Sequence, residues 1–322
     1  MRFRSVAVAV LAATLAAGGA GLARAQDGAP PAYSPPPDIG SLSGAIVSDG
    51  STNTGPITQA AAEDFAALAP KVRISVDQAG SGGGFARFCR GETTIQNASR
   101  PIAQAEADAC AANGIAYLRL TVDLDGVTLV VNPMLDVTCL TTAQARALWT
   151  EDSTVAAFSD LDPLLPDDAL SFYGPAPDSG TYQYFTEQIV GKDGGLRRDY
   201  LPSQDYNVLV NGISYDAAGT GIVGFAYYDL NRDDLRALAI DAGDGCVAPS
   251  FQTIANGAYA PLSRPLSIYV NTADLQRPEV REFVRFYLAN AAGLVADTGE
   301  IPVPAATASD AAAALEAAIA GA

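Results

Sequence analysis

The sequence predicts an α/β chain drawn into two lobes, each built on a mostly parallel sheet covered by helices. Three observations carry that expectation. From residue 45 to residue 112, strand-like apolar runs alternate with segments of helical spacing, the pattern that sets parallel strands side by side. A glycine-rich loop, Gly80-Ser81-Gly82-Gly83-Gly84, joins a strand to a helix. A second loop of the same kind, Asp178-Ser179-Gly180-Thr181, opens another helix in the second half of the chain.

The first 25 residues are set apart. Arg2 and Arg4 precede an apolar run from Val6 to Ala17, and Ala23-Arg24-Ala25 closes it. Charged start, apolar middle and small-residue end describe a cleavable signal peptide at 1–25, too short in its apolar part to span a bilayer comfortably. No cysteine follows the cleavage point, so a lipoprotein is not expected. The mature protein is expected to be soluble and periplasmic or extracellular. Residues 26–43 are Pro-rich and read as an extended tether.

Charge narrows the partners. The chain has 19 basic and 36 acidic residues. Removing 1–25 takes away Arg2, Arg4 and Arg24 and no acid, which leaves 16 against 36, a net charge of −20. Nucleic acid and anionic membrane, which need basic patches, are excluded as expected partners. The chain has no histidine, so Ser-His-Asp and Cys-His catalysis are excluded as well. A metal site is not expected, nor is a cofactor. Four cysteines in an exported chain point to disulfides. Three pairings are possible, and we expect Cys89 with Cys110 as a local clip and Cys139 with Cys246 as a long-range staple.

Taken in order, residues 45–47 form a short strand that ends in Ser48-Asp49-Gly50-Ser51-Thr52-Asn53-Thr54-Gly55. Pro56 suits the first turn of the helix that follows through residue 68. A strand at 72–76, the glycine loop and a helix through Phe85 and Phe88 make the second unit. A third strand near Ile95 leads to Asn97-Ala98-Ser99-Arg100-Pro101-Ile102, and a helix at 104–112 stops at Asn113-Gly114. Residues 116–124 and 127–131 read as two strands around the turn signal Asp125-Gly126, and we take them as the first crossing between lobes. The second lobe is expected to hold helices at 141–149, 181–190 and 205–212 and strands at 170–173, 221–225 and 236–240. Residues 260–271 are the return crossing, with a strand at 266–270. A helix at 278–289 turns Val280, Phe283, Val284 and Tyr287 inward. An Ala-rich tail at 305–322 holds a peripheral helix at 309–319.

In open sheets of this kind, ligands sit beyond the carboxyl ends of the strands. The loops after residues 47, 76 and 173 and the Ser99-Arg100 loop all lie there, and all carry hydroxyl or glycine-rich donors. Each has a plainer reading. Ser81 is by default a turn and helix cap, Asp178-Ser179 an ordinary N-cap, and Arg100 a surface arginine. Convergence favours a small anion, held by orphan N–H groups at helix starts. Phe225, Tyr227, Tyr228 and Trp149 read as core or cleft wall. Asp160, Asp162, Asp167 and Asp168 read as a solvated loop, since the oxygen spacing of a calcium loop is missing.

At these residues the chain resembles the periplasmic phosphate-binding proteins of high-affinity phosphate ABC transporters. The resemblance covers nearly all of 44–303. It rests on Asp49-Gly50-Ser51-Thr52, Gly80-Ser81-Gly82-Gly83-Gly84-Phe85, Asn97-Ala98-Ser99-Arg100-Pro101-Ile102, Asp178-Ser179-Gly180-Thr181, Gly224-Phe225-Ala226-Tyr227-Tyr228 and Pro261-Leu262-Ser263-Arg264-Pro265-Leu266. It implies a hinged, two-lobed periplasmic binding protein of type II. The first lobe would be 44–124 plus 260–304, and the second 125–259. It implies a monomer that captures inorganic phosphate for an inner-membrane permease. The implied ligands are Ser81, Ser179, Gly180 and Thr181, with Thr52, Asn53 and Thr54 in the first loop. Arg100 stands where many members hold an aspartate, and we expect its fork to bind the oxyanion. Asp178 or Asp49 would then accept the proton of phosphate. Sulfate or molybdate binding is the alternative, followed by a secreted phosphatase using Ser81 or Ser179, for which Lys71 and Lys192 are the only lysines. A surface adhesion role is a third class.

Overall fold

The computed structural model of the chain describes residues 32–191, 194–298 and 300–321. The expected signal peptide and the start of the tether lie outside the described residues. In chain order the elements are β1 (Ser43–Gly50), α1 (Gly55–Leu68), β2 (Lys71–Val76), α2 (Gly80–Phe88), β3 (Ile95–Ala98), α3 (Gln104–Ala112) and β4 (Tyr117–Val131). Then come β5 (Cys139–Thr141), α4 (Thr142–Trp149), β6 (Ser171–Pro175), α5 (Gly180–Phe185), β7 (Leu201–Ser203), α6 (Tyr206–Tyr215), β8 (Gly219–Gly224) and α7 (Phe225–Leu230). The chain continues through β9 (Arg236–Ala237), β10 (Ala239–Asp241), β11 (Cys246–Val247) and α8 (Phe251–Ala255). It ends with β12 (Ser263–Asn271), α9 (Pro278–Asp297), β13 (Ile301–Pro302) and α10 (Ala305–Gly321).

The main sheet runs in the order β2-β1-β3-β12-β4-β8-β6-β7. β1 lies parallel to β2 and β3, and β6 lies parallel to β7 and β8. β12 and β4 run antiparallel between these two halves. The sheet is therefore mixed and mostly parallel in each lobe. Each half buries its own core. Ile46, Phe65, Val72, Phe283 and Tyr287 fill the first, and Trp149, Phe172, Phe185, Ile222 and Phe225 fill the second. Helix α1 shows how the pattern builds the first core. Pro56 fixes its opening turn, and Ile57, Ala61 and Phe65, four apart, are buried along one face. Burying Phe65 alone contributes about 2 kcal/mol.

The first crossing differs from expectation. β4 is one continuous strand of 15 residues, paired with β12 through Gly126 and with β8 from Val127. Asp125-Gly126 is a turn signal by composition but serves another purpose. A Cβ on Gly126 would lie 2.5 Å from Ile254 Cδ1, so the glycine marks a close approach of α8 to the strand rather than a turn, and the chain runs straight through. Two smaller differences follow from tertiary pairing. The expected strand at 236–240 is split, because β9 pairs with β4 while β10 pairs with β5 in a separate three-stranded sheet. The helix expected at 181–190 is α5 followed by a π turn, Thr186–Val190.

Both disulfides join the expected partners, Cys89 with Cys110 and Cys139 with Cys246. The first ties α2 to α3 beneath the glycine loop, among Phe85, Phe88 and Tyr269. The second ties β5 to β11 within the smaller sheet. α10 packs along α9 with Ala311 and Leu315 buried, and Arg285 grips Glu316 through two hydrogen bonds of 2.7 Å. No helix among the described residues is long and apolar enough to cross a membrane.

Candidate functional site

The strand ends bring the loops together as their positions in the sheet require. Ser51, just past β1, accepts hydrogen bonds from the N–H groups of Asn53 (3.1 Å) and Thr54 (3.4 Å), which winds the chain into α1. Thr52, Asn53 and Thr54 are all buried there. Ser81, in the first turn of α2, is fully buried. Its Oγ accepts from the N–H of Ser99 at 3.1 Å and lies 3.1 Å from Ser99 Oγ. Ser179 caps α5 by accepting from the Thr181 N–H at 3.1 Å, and its hydroxyl lies 3.2 Å from that of Tyr206. Burial raises the Tyr206 phenol above its usual pKa and keeps it a neutral donor or acceptor.

The two jaws meet at Gly180. A Cβ there would lie 2.1 Å from Ser99 Oγ and 2.5 Å from Ser81 Oγ, so no side chain fits between the lobes at this point. Nearby, the Gly82 N–H donates across the cleft to the Asp178 carbonyl at 3.2 Å.

Behind this contact lies the charge centre that motif reading missed. Arg264 on β12 and Asp125 on β4 are register partners, and neither side chain is exposed at all. Arg264 spends all five of its N–H donors. Nε and Nη2 bind Asp125 Oδ2 at 3.0 and 2.6 Å. Nη1 reaches the carbonyls of Ser99 (3.0 Å) and Gly180 (3.1 Å), one in each lobe. The second Nη2 proton goes to Thr181 Oγ1 at 2.7 Å, which leaves that hydroxyl's own proton free to point elsewhere. Asp125 in turn accepts from Asn53 Nδ2 (3.1 Å) and from the Phe225 N–H (3.1 Å). Asp123 and Glu300, also buried, stand near this pair. Burial first, then the charge of Asp125, pushes both carboxyls well above the usual range.

Three of the expected residues have partners of their own in this geometry. The fork of Arg100 is already engaged. It is held by Glu106 through Nη1–Oε2 (2.7 Å) and Nη2–Oε1 (2.6 Å), because an acid six residues on comes back to it at the start of α3. Asp49 is fully buried but engaged by Arg87 (2.6 Å) and by the N–H groups of Gly50 and Ala79. Asp178 is exposed, with its carboxylate taking a hydrogen bond from Gln204. Asn53 also acts differently from expectation. Its amide N–H₂ is given to Asp125, and its Oδ1 is buried without a hydrogen-bond partner among the described residues. The signal for Arg264 was present in Ser263-Arg264-Pro265, but only strand register shows its partner.

Two lobes joined by paired crossing strands, with Gly180 of one set against the hydroxyls of Ser81 and Ser99 of the other, define a substrate-binding protein of the bilobal class. Residues 28–291 match the family model described as the PBP superfamily domain. The chain is 42% identical over 263 residues to Protein SphX of Synechocystis sp., covering 80% of this chain and 78% of that protein. It is 33% identical over 270 residues to the phosphate-binding protein PstS of Staphylococcus saprophyticus, covering 83% of each. Among solved structures it resembles a possible phosphate binding protein from Planctomyces limnophilus, with 40% identity and a TM-score of 0.68 over 86% of this chain and 99% of that one. It shares its fold with a putative phosphate ABC transporter substrate-binding protein from Clostridium perfringens, at 24% identity and a TM-score of 0.69 over 81% of this chain and 100% of that one. The chain belongs to the Pst-type phosphate-binding protein family.

Proposed function

We propose that this protein captures inorganic phosphate between its lobes, outside the cytoplasm, and delivers it to an ABC permease in the inner membrane. The observation that supports it most is the close approach of Gly180, flanked by Ser179 and Thr181, to the hydroxyls of Ser81 and Ser99 across one narrow gap. Neutral hydroxyl and N–H donors bind an anion strongly in a dry cleft, where water does not compete. The proposed ligands are Ser81, Ser179, Gly180 and Thr181, with Thr52, Asn53 and Thr54 closing one side. Arg264 acts behind them, turning the Thr181 hydroxyl outward as a donor. Its own charge is balanced by Asp125.

Selectivity is assigned to Asn53. Its unpartnered, buried Oδ1 can accept a hydrogen bond from protonated phosphate. Sulfate, fully deprotonated near neutral pH, leaves that acceptor unmatched and repelled.

The reading is of a binder rather than a hydrolase. Among the described residues, the side-chain groups bonded to the oxygens of Ser81 and Ser179 are the hydroxyls of Ser99 and Tyr206, and no base is bonded to either. The protein is proposed to act as a monomer, exported by cleavage after residue 25 without a lipid anchor. The lobes are proposed to divide after residue 124 and before residue 260. Isothermal titration of ligand-stripped protein tests the reading. One phosphate should bind per chain with sulfate at least tenfold weaker, and absence of phosphate heat at micromolar protein overturns it. Turnover of nitrophenyl phosphate overturns the non-enzymatic part.

A further inference from the structure

We propose that Arg100 is not a ligand but the latch that holds the two lobes shut, a positioning residue that sets how long the ligand stays. The proposal rests on the reading of the cleft as a phosphate site.

The first lobe clamps the Arg100 side chain on three sides. Glu106 takes both Nη atoms, at 2.7 and 2.6 Å. The Pro101 carbonyl takes Nη1 at 2.9 Å. The guanidinium carbon lies 5.3 Å from the ring centre of Phe85, a ring that is itself fully buried. Charge and position are therefore settled before the second lobe arrives. Of the donors not taken up within the first lobe, Nε donates to Gln183 Oε1 on α5, in the other lobe. The other end of the Gln183 amide is anchored by donation to the Pro177 carbonyl at 3.3 Å, so donor and acceptor are both prepositioned. Little rotamer freedom is lost when they meet. The Gly82 N–H to Asp178 carbonyl bond lies alongside, at 3.2 Å.

These contacts join the lobes without passing through the hydroxyls of Ser81, Ser179 or Thr181. A bond made only between the closed lobes stabilises closure, and release must wait for opening. Removing it speeds release and leaves the ligand's own contacts unchanged. An arginine that gripped the anion directly would, on removal, alter discrimination as well.

The test uses stopped-flow kinetics with inorganic phosphate on the full mature chain. Gln183→Leu should raise the dissociation rate about tenfold, equivalent to about 1.4 kcal/mol, with association within about twofold and the phosphate-to-sulfate ratio unchanged. Gln183→Glu, which keeps the acceptor and adds charge, should slow release relative to wild type. Unchanged release in Gln183→Leu overturns the latch. So does an Arg100→Gln variant that loses discrimination while Gln183→Leu keeps it, because Arg100 is then a ligand. A second arm needs no ligand: single-molecule FRET between labels on the two lobes of stripped protein. Fewer closed molecules in Gln183→Leu support the latch even if wild type fails to bind phosphate. Identical distributions overturn it.

Discussion

Arg264 and Asp125 face each other across the two strands that run between the lobes, with Nη2 2.6 Å from Oδ2 and both side chains fully buried. The pair is bonded to Ser99 and Asn53 on one side of the cleft and to Gly180, Thr181 and Phe225 on the other. It links the hinge to both jaws.

Removing one partner leaves the other charged and buried. Asp125→Ala should lower unfolding free energy by about 3–5 kcal/mol, and Arg264→Met by a similar amount. The double variant should lose clearly less than the sum, since no lone charge remains. Urea denaturation of the four proteins gives the coupling, and strict additivity contradicts the arrangement described.

Asn53 should decide between phosphate and sulfate. Asn53→Leu removes the unpartnered acceptor along with the donor to Asp125, so phosphate affinity should fall by about tenfold or more, consistent with about 1–3 kcal/mol for a lost buried polar contact. Sulfate affinity should change far less. Competition titrations read the ratio, and equal losses for both anions contradict the assignment.

The fold and the site were legible to different depths. Strand and helix alternation from β1 to α3 follows from local spacing, and Gly80-Ser81 and Ser179-Gly180 announce themselves because backbone geometry limits which residues fit. The disulfides followed from export and an even cysteine count. What local spacing could not show depended on side-chain and tertiary contacts. Asp125-Gly126 looked like a turn because the crowding from Ile254 is tertiary. Arg100 looked like the ligand arginine because it adjoins Ser99, and its capture by Glu106 is a matter of side-chain geometry. Arg264, bonded to both jaws, lies in a recognisable motif, but its partner Asp125 emerges only from strand register.

Gly180→Ala should abolish closure while leaving each lobe intact. A Cβ 2.1 Å from Ser99 Oγ and 2.5 Å from Ser81 Oγ cannot be accommodated unless the lobes stay apart. Phosphate affinity should drop by about a hundredfold, or about 2.7 kcal/mol, with little change in ligand-free melting temperature. Calorimetry and thermal melts separate the two, and unchanged affinity contradicts the contact.

Asp123 and Glu300 should make stability fall as pH rises. Burial and Asp125 raise both carboxyls, so the folded chain keeps protons that the unfolded chain has released above about pH 4. The unfolded state then binds fewer protons, and unfolding free energy declines by about 1.4 kcal/mol per pH unit for each proton until the folded groups titrate. Urea denaturation at a series of pH values should show this slope, and Asp123→Asn with Glu300→Gln should flatten it. A wild-type slope equal to that of the double variant contradicts the assignment.

The most direct test of the central claim is a crystal structure of the mature chain saturated with inorganic phosphate. One tetrahedral anion should sit between the lobes, with its oxygens about 2.7 Å from Ser81 Oγ and Thr181 Oγ1 and Arg100 still on Glu106 and Gln183. Phosphate density elsewhere on the surface, with no anion between Ser81 and Thr181, would contradict it.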